Sequence, residues 1–165
     1  MKEAGGYPVI GTTSYGKGTV QVSMPHDDHS SLKLTTQVWK TPDGNWINEV
    51  GVEPTLVVEA PEFYYYYQVY LTDGKSLEYD MVDSSIANAQ NILTALGYQV
   101  GRHDGYYDKS TVSAVENFQA DNEILVTGII DNKTASELTL ALRNKVRDKQ
   151  YDTQLQTALE VLIQE

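Results

Sequence analysis

The sequence predicts an α+β protein: a β-rich opening part, a small three-helix domain and a closing helix. Apolar and polar residues alternate at 19–24 and again at 32–39, the period of a half-buried strand. From Asp83 onward the apolar period becomes 3.6, that of an amphipathic helix. Between the two styles, Ala60-Pro61 marks a boundary. The organisation read from this is a β part at 1–60, a Tyr-rich connector at 61–82, a helical domain at 83–147 and a final helix at 148–165.

Each element has its own signal. Pro8-Val9-Ile10-Gly11 is a short apolar run. In Thr19–Met24, Val20, Val22 and Met24 share one face, and Thr19, Gln21 and Ser23 the other. In the next run Leu32, Leu34, Thr36 and Val38 fall together. Thr41-Pro42-Asp43-Gly44 turns the chain, because proline presets φ and glycine relieves the exit. Trp46-Ile47 and Thr55–Val58 are further strand candidates. The connector holds Phe63-Tyr64-Tyr65-Tyr66-Tyr67, then Val69–Leu71, Thr72-Asp73-Gly74-Lys75 and Leu77–Met81, which read as a hairpin. Its tyrosines read as half-buried β residues, the alternative being a ligand platform.

The helices are marked by apolar stripes. Ile86, Ala89, Leu93 and Leu96 form the first, with Gly97 as a stop. Val112, Val115 and Phe118 form the second, after Ser110. Ala135, Leu138, Leu142 and Val146 form the third, capped by Asp131 or Asn132. Leu155, Ala158, Leu159 and Leu162 form the fourth, after Asp152. Asp104-Gly105 and Thr127-Gly128 supply turns between the first three.

Bulk properties narrow the function. The 165 residues carry 12 basic and 23 acidic side chains, a net charge of −11. Such a surface repels phosphate at long range, so nucleic acid is not an expected partner. There are no cysteines, which removes disulfides and thiolate metal sites. No apolar run approaches the ~20 residues of a membrane span.

The chemically suggestive segment is Gly11-Thr-Thr-Ser14-Tyr-Gly16-Lys17-Gly18-Thr-Val-Gln21. A phosphate loop would need Ser or Thr after the lysine and then a helix; Gly18 and a β run follow instead. Ser14-x-x-Lys17 has the spacing of a penicillin-recognising site, but that motif needs a helical turn, and its partner motifs are missing from the sequence. The third reading makes Lys17 the general base for a serine elsewhere. An amine with an ordinary pKa of about 10.4 would have to fall to ~7–8 through burial. That change corresponds to about 4 kcal/mol. The competing reading is a solvated turn lysine. His26-Asp27-Asp28-His29 offers metal-ligand types, but in a polar loop that makes a poor cage.

Longer blocks favour the third reading. Residues 10–21, Leu32-Lys33-Leu34-Thr35-Thr36, Trp39-x-Thr41-Pro42-x-Gly44 and Gly51-Val52-Glu53-Pro54 occur in this order. Together they resemble the carboxyl-terminal processing, or tail-specific, serine proteases. The resemblance implies that 1–60 is the C-terminal part of a Ser–Lys catalytic domain. It implies that Lys17 is the general base, that Gln21 orients it, and that no cofactor is needed. Full extension from Lys17 to Gln21 spans about 13 Å, so the glycines would have to curl the chain for the pair to meet. The family's nucleophilic serine, substrate-binding PDZ module and membrane anchor would lie upstream, so this chain is expected to be inactive alone.

A second resemblance covers residues 86–142. Ala89-Gln90-x-Ile92-Leu93-x-x-Leu96-Gly97-Tyr98, Asp104-Gly105-Tyr106-Tyr107, Thr111-x-x-Ala114-Val115-x-x-Phe118-Gln119, Thr127-Gly128-Ile129 and Asp131-x-x-Thr134 look like a three-helix peptidoglycan-binding domain. The expected partners are a protein or peptide substrate, with peptidoglycan and a second copy of the chain as further candidates. The expected location of the full-length protein is extracytoplasmic, membrane-anchored or in the cell envelope.

Overall fold

The computed structural model describes residues 1–72 and 74–164. It divides into two units, Met1–Ala60 with Thr153–Glu165, and Pro61–Asp152. All four strands among the described residues fall between residues 10 and 57 and the three long helices of the second unit between 84 and 147, an α+β arrangement. Among the described residues no helix is long and apolar enough to cross a membrane.

In the first unit, α1 (Lys2–Gly5) is followed by β1 (Ile10–Gly11), β2 (Thr19–Pro25), β3 (Ser31–Val38) and β4 (Leu56–Val57). β1 pairs parallel with β4 through Ile10↔Leu56 and Gly11↔Val57. The Glu3 carboxylate accepts from Asp43 N at 3.0 Å and Asn45 Nδ2 at 2.9 Å, which ties α1 to the Pro42-Asp43-Gly44 turn. Trp46-Ile47 forms no strand. Trp46 makes an isolated bridge to Lys40, while Val50 N and Gly51 N both donate to Ile47 O and close the chain into a turn.

β2 and β3 form an antiparallel hairpin with Val22↔Leu34 and Met24↔Leu32 in register. The register shifts between Val20 and Gln21, whose partners are Gln37 and Thr35. Thr36 is the extra residue of a bulge, and beyond it the faces exchange. Val38 therefore pairs with Thr19, on the side of Gln21, and does not share a face with Leu34 as strict alternation predicted. Val22, Met24, Leu32 and Leu34 remain 41–47% exposed on the other side.

The final helix, α5 (Thr153–Gln164), belongs to this first unit. Gln154 Nε2 donates to Val58 O at 3.0 Å, and Thr153 Oγ1 donates to Glu59 O at 2.7 Å. The periodicity that found this helix carries no information on what it packs against.

The second unit is built on α2 (Ser84–Leu96), α3 (Lys109–Asp121) and α4 (Asn132–Arg147). Each begins with an aspartate preceded by an apolar residue: Val82-Asp83, Tyr107-Asp108 and Ile130-Asp131. The three side chains accept from Ser85 N, Thr111 N and Thr134 N respectively, satisfying helix-end donors. Gly97 ends α2 at φ 103°. Ile86, Ile92, Leu93, Val115, Phe118, Ile130 and Leu138 are fully buried between the helices.

The segment read as a connector with a hairpin is part of this unit. It opens with a 3-10 turn, Glu62–Tyr65, and then runs irregularly. Its Val69 and Leu77 lie in the helical core, 5% and 4% exposed. Leu77 exchanges both backbone hydrogen bonds with Ile130, at 3.0 and 2.9 Å, so its strand partner comes from the α3–α4 connection and not from within 61–82. Lys75 N donates to Thr72 O in the expected turn; Asp73 lies outside the described residues.

Backbone hydrogen bonding from Ser85 and Thr134 holds the Asp83 and Asp131 carboxyls below the ordinary 3.8. Asp108 is also lowered; burial opposes this, and Ser110 and Thr111 outweigh it. Depressed carboxyl pKa values stabilise the fold above the unfolded value, and the gain is lost as pH falls through the folded ones. The helical melting temperature should therefore hold steady down to about pH 4 and fall below it. Circular dichroism melts between pH 6 and 2 check this; a midpoint unchanged at pH 2 would show that the caps contribute no acid sensitivity.

Candidate active site

The Gly-Lys-Gly segment lies in the loop between β1 and β2, and residues 47–52 run against it. Ser14 N donates to Val52 O at 3.1 Å, and Val52 N donates to Ser14 Oγ at 2.8 Å. Glu49 N donates to Gly16 O at 2.7 Å, and Gly18 N to Asn48 Oδ1 at 3.2 Å. Bonds between residues 30 and 38 positions apart thus zip two sequence blocks together.

The glycines are what permit this approach. Gly16 sits at φ 79°, and a Cβ there would lie 2.7 Å from Gly51 N. Gly51 sits at φ 81°, and its Cβ would lie 2.1 Å from Ser14 O. Both positions combine left-handed backbone with no room for a side chain. A Cβ on Gly18 would lie 2.7 Å from Asn48 N.

Gly16 and Gly18 are buried, but Lys17 between them is exposed. The general-base reading of this segment expected the amine to be buried as well. In the structure the glycines bury only the backbone, and the alternate residue is left on the outside. Among the described residues Lys17 makes no hydrogen bond or ion pair. Gln21, also exposed, donates from Nε2 to Thr35 Oγ1 at 3.4 Å across the hairpin, and not to Lys17. Ser14 acts as an acceptor for the 47–52 segment, which gives it a structural role beside Lys17.

A cleft of about 550 Å³ in the same unit is lined by Val9, Trp46, Ile47, Val50 and Val52, with Lys2, Glu3 and Glu53 at its polar edge. Neither Lys17 nor Gln21 lines it. Lys2 Nζ donates to Glu53 O at 2.8 Å there. In the His26–His29 loop, Asp28 is committed to the turn. Its carboxylate accepts from Ser30 N at 3.0 Å and Ser30 Oγ at 2.6 Å, and these bonds, the hydroxyl's first, lower its pKa. Among the described residues no cluster of three or more His, Cys, Asp or Glu could hold a metal.

The helical unit carries a groove that the sequence did not single out. Tyr67, Gln68, Tyr70, Ser84, Ser85 and Asn88 line about 310 Å³. The only signal available was the run of tyrosines; that Tyr67 and Tyr70 stay outside while Val69 is buried follows from the helices they meet.

The zipped β segment and the Asp-capped helices belong to two different units, and each unit matches a family of its own. Residues 1–58 match peptidase family S41, and residues 82–138 match a family described as "Putative peptidoglycan binding domain". The carboxy-terminal processing protease CtpB of Bacillus subtilis (strain 168) is 43% identical over 162 residues, covering 98% of this chain and 33% of that protein. CtpA of the same strain is 37% identical over 165 residues, covering 100% of this chain and 34% of its own length. The chain is thus homologous over its whole length to the carboxy-terminal processing proteases, and it spans about a third of the length of these curated relatives. A solved peptidoglycan-binding protein from Clostridioides difficile aligns at TM-score 0.40 and 30% identity, covering 44% of this chain and 46% of that one.

Proposed function

We propose that the first unit supplies the general base of a Ser–Lys endopeptidase acting in the cell envelope. The single observation that supports this reading most is the zipped pair of blocks, 14–18 and 47–52, which holds the backbone on both sides of Lys17 in one fixed conformation. Such fixing is what a base needs, since a misplaced proton acceptor loses most of its rate advantage. In the complete enzyme a serine attacks the scissile carbonyl. Lys17 takes the serine proton and returns it to the leaving amine.

A general base of this kind works from a buried site, so the proposal requires a surface that covers the exposed Lys17 side chain in the assembled catalytic domain. Gln21, held by Thr35 on the same hairpin, is the side chain we assign to orient Lys17 in that assembled site. The chain by itself should cleave nothing. Incubating it with a peptide of apolar C-terminus and following fragments by mass spectrometry tests this; turnover by the pure chain would overturn the assignment of the nucleophile to another part of the protein.

A second function is favoured by the match at residues 82–138. We assign the helical unit to peptidoglycan binding, which would hold the protease at the wall. Co-sedimentation of the chain with insoluble peptidoglycan tests it, and a chain left in the supernatant would remove this role.

A further inference from the structure

We infer that the groove beside the start of α2 is a subsite for the glycan strand of peptidoglycan, with Tyr67 and Tyr70 as its stacking platforms. The inference rests on the wall-binding role assigned above. Tyr67 and Tyr70 are 81% and 75% exposed, although they flank the buried Val69. Exposed flat rings on an anchored segment offer an apolar surface at little entropic cost. The segment is anchored on both sides. Asn88 Nδ2 donates to Tyr67 O at 2.7 Å, and Val69 N donates to Thr139 Oγ1 at 3.3 Å.

The rest of the lining is uncharged and rich in hydrogen-bonding groups: Gln68, Ser84, Ser85 and Asn88. Tyr70 donates its hydroxyl to Gln68 Oε1 at 2.5 Å, leaving the Gln68 amide nitrogen as a donor uncommitted among the described residues. Aromatic faces with neutral amides and hydroxyls fit a pyranose ring, whose C–H face is apolar and whose rim is hydroxyl and acetamido. They do not fit a charged peptide stem, which would require opposite charge in the lining. The chain's net charge of −11 also disfavours an anionic polymer. At about 310 Å³ the groove is at the small end of small-molecule sites, so it reads a short stretch of sugar.

The test uses the full chain with two probes, insoluble peptidoglycan and the soluble β-1,4-linked tetramer of N-acetylglucosamine. The wild-type chain should co-sediment, and the tetramer should shift the NMR signals of the Asn88 side-chain amide and of residues 67–70. Tyr67→Ala combined with Tyr70→Ala should weaken binding about tenfold or more. Tyr65→Ala, at a tyrosine 62% exposed but outside the groove, should leave it unchanged. Equal sedimentation of wild type and double variant, or an equal loss in Tyr65→Ala, overturns the groove while the wall-binding role stands. Failure of the wild type to sediment overturns both. Circular dichroism of the variants verifies that they are folded.

Discussion

Lys17→Ala in the complete protease is expected to abolish peptide cleavage, with kcat falling about 10⁴-fold or more. Alanine cannot take the serine proton. Because Lys17 is exposed and without partners among the described residues, the substitution removes chemistry and almost nothing from the fold. Stability should change by less than about 0.5 kcal/mol. Lys17→Arg should be equally inactive, since a guanidinium stays protonated at any pH the enzyme sees. Steady-state kinetics on a peptide substrate, with a thermal melt of each variant, checks both halves. Retained turnover in Lys17→Ala would remove this residue from the mechanism, and a large drop in melting temperature would make its role structural.

Gln119→Ala is expected to destabilise the helical unit by about 4 kcal/mol. The Gln119 side chain is fully buried and its amide is spent on the α3–α4 connection. Nε2 donates to Ile129 O at 2.8 Å, Thr134 Oγ1 at 3.0 Å and Thr127 Oγ1 at 3.2 Å. Oε1 accepts from Thr127 N at 2.8 Å and Gly128 N at 2.9 Å. Alanine leaves the Gly128 N–H buried without an acceptor, which costs about 1–3 kcal/mol, and opens a cavity beside Phe118 that adds to it. For a unit of this size the melting temperature should fall by about 20 °C. A fall of less than about 5 °C would show that water replaces the amide without loss. Gln90 does the same work one helix earlier. It donates to Tyr106 O at 2.8 Å and Thr111 Oγ1 at 2.9 Å, and accepts from Gly105 N at 3.1 Å.

These two glutamines show where sequence reasoning stops. Both stand beside core residues, Ala89 and Phe118, in blocks that carried the family resemblance. Nothing local says that their amides face inward, because glutamine is ordinarily exposed. Their partners are turn backbones 8–16 residues away, and only the packed helices bring those turns within reach. The Asp-Gly and Thr-Gly pairs were legible as turns; that each turn closes around a buried amide was not.

The candidate site divides in the same way. The order of the blocks in 10–54 pointed to the family and to Lys17. The Gly-Lys-Gly spacing was legible, but nothing local named its partner, the turn at 47–52, whose first residue falls in the Trp46-Ile47 pair that reads as a strand from its β-forming side chains. Nor could periodicity show that close approach would bury Gly16 and Gly18 and leave Lys17 outside.

The sequence by itself determined the α+β class, the four main helices with the Gly97 stop and the Asp131 cap, the β2–β3 hairpin and the family, because each is written in spacing a few residues long or in a contiguous motif; that α3 is capped by Asp108, ahead of Ser110, was not read from it. Tertiary structure alone decided that α5 returns to the first unit, that Val69 and Leu77 are core, that the bulge at Thr36 moves Val38 across the hairpin, and that the Lys17 amine is uncovered in this chain. The physical reason is range. A cap or an alternation is satisfied by neighbours along the chain, whereas burial is a property of whatever distant surface arrives, and no local pattern names that surface.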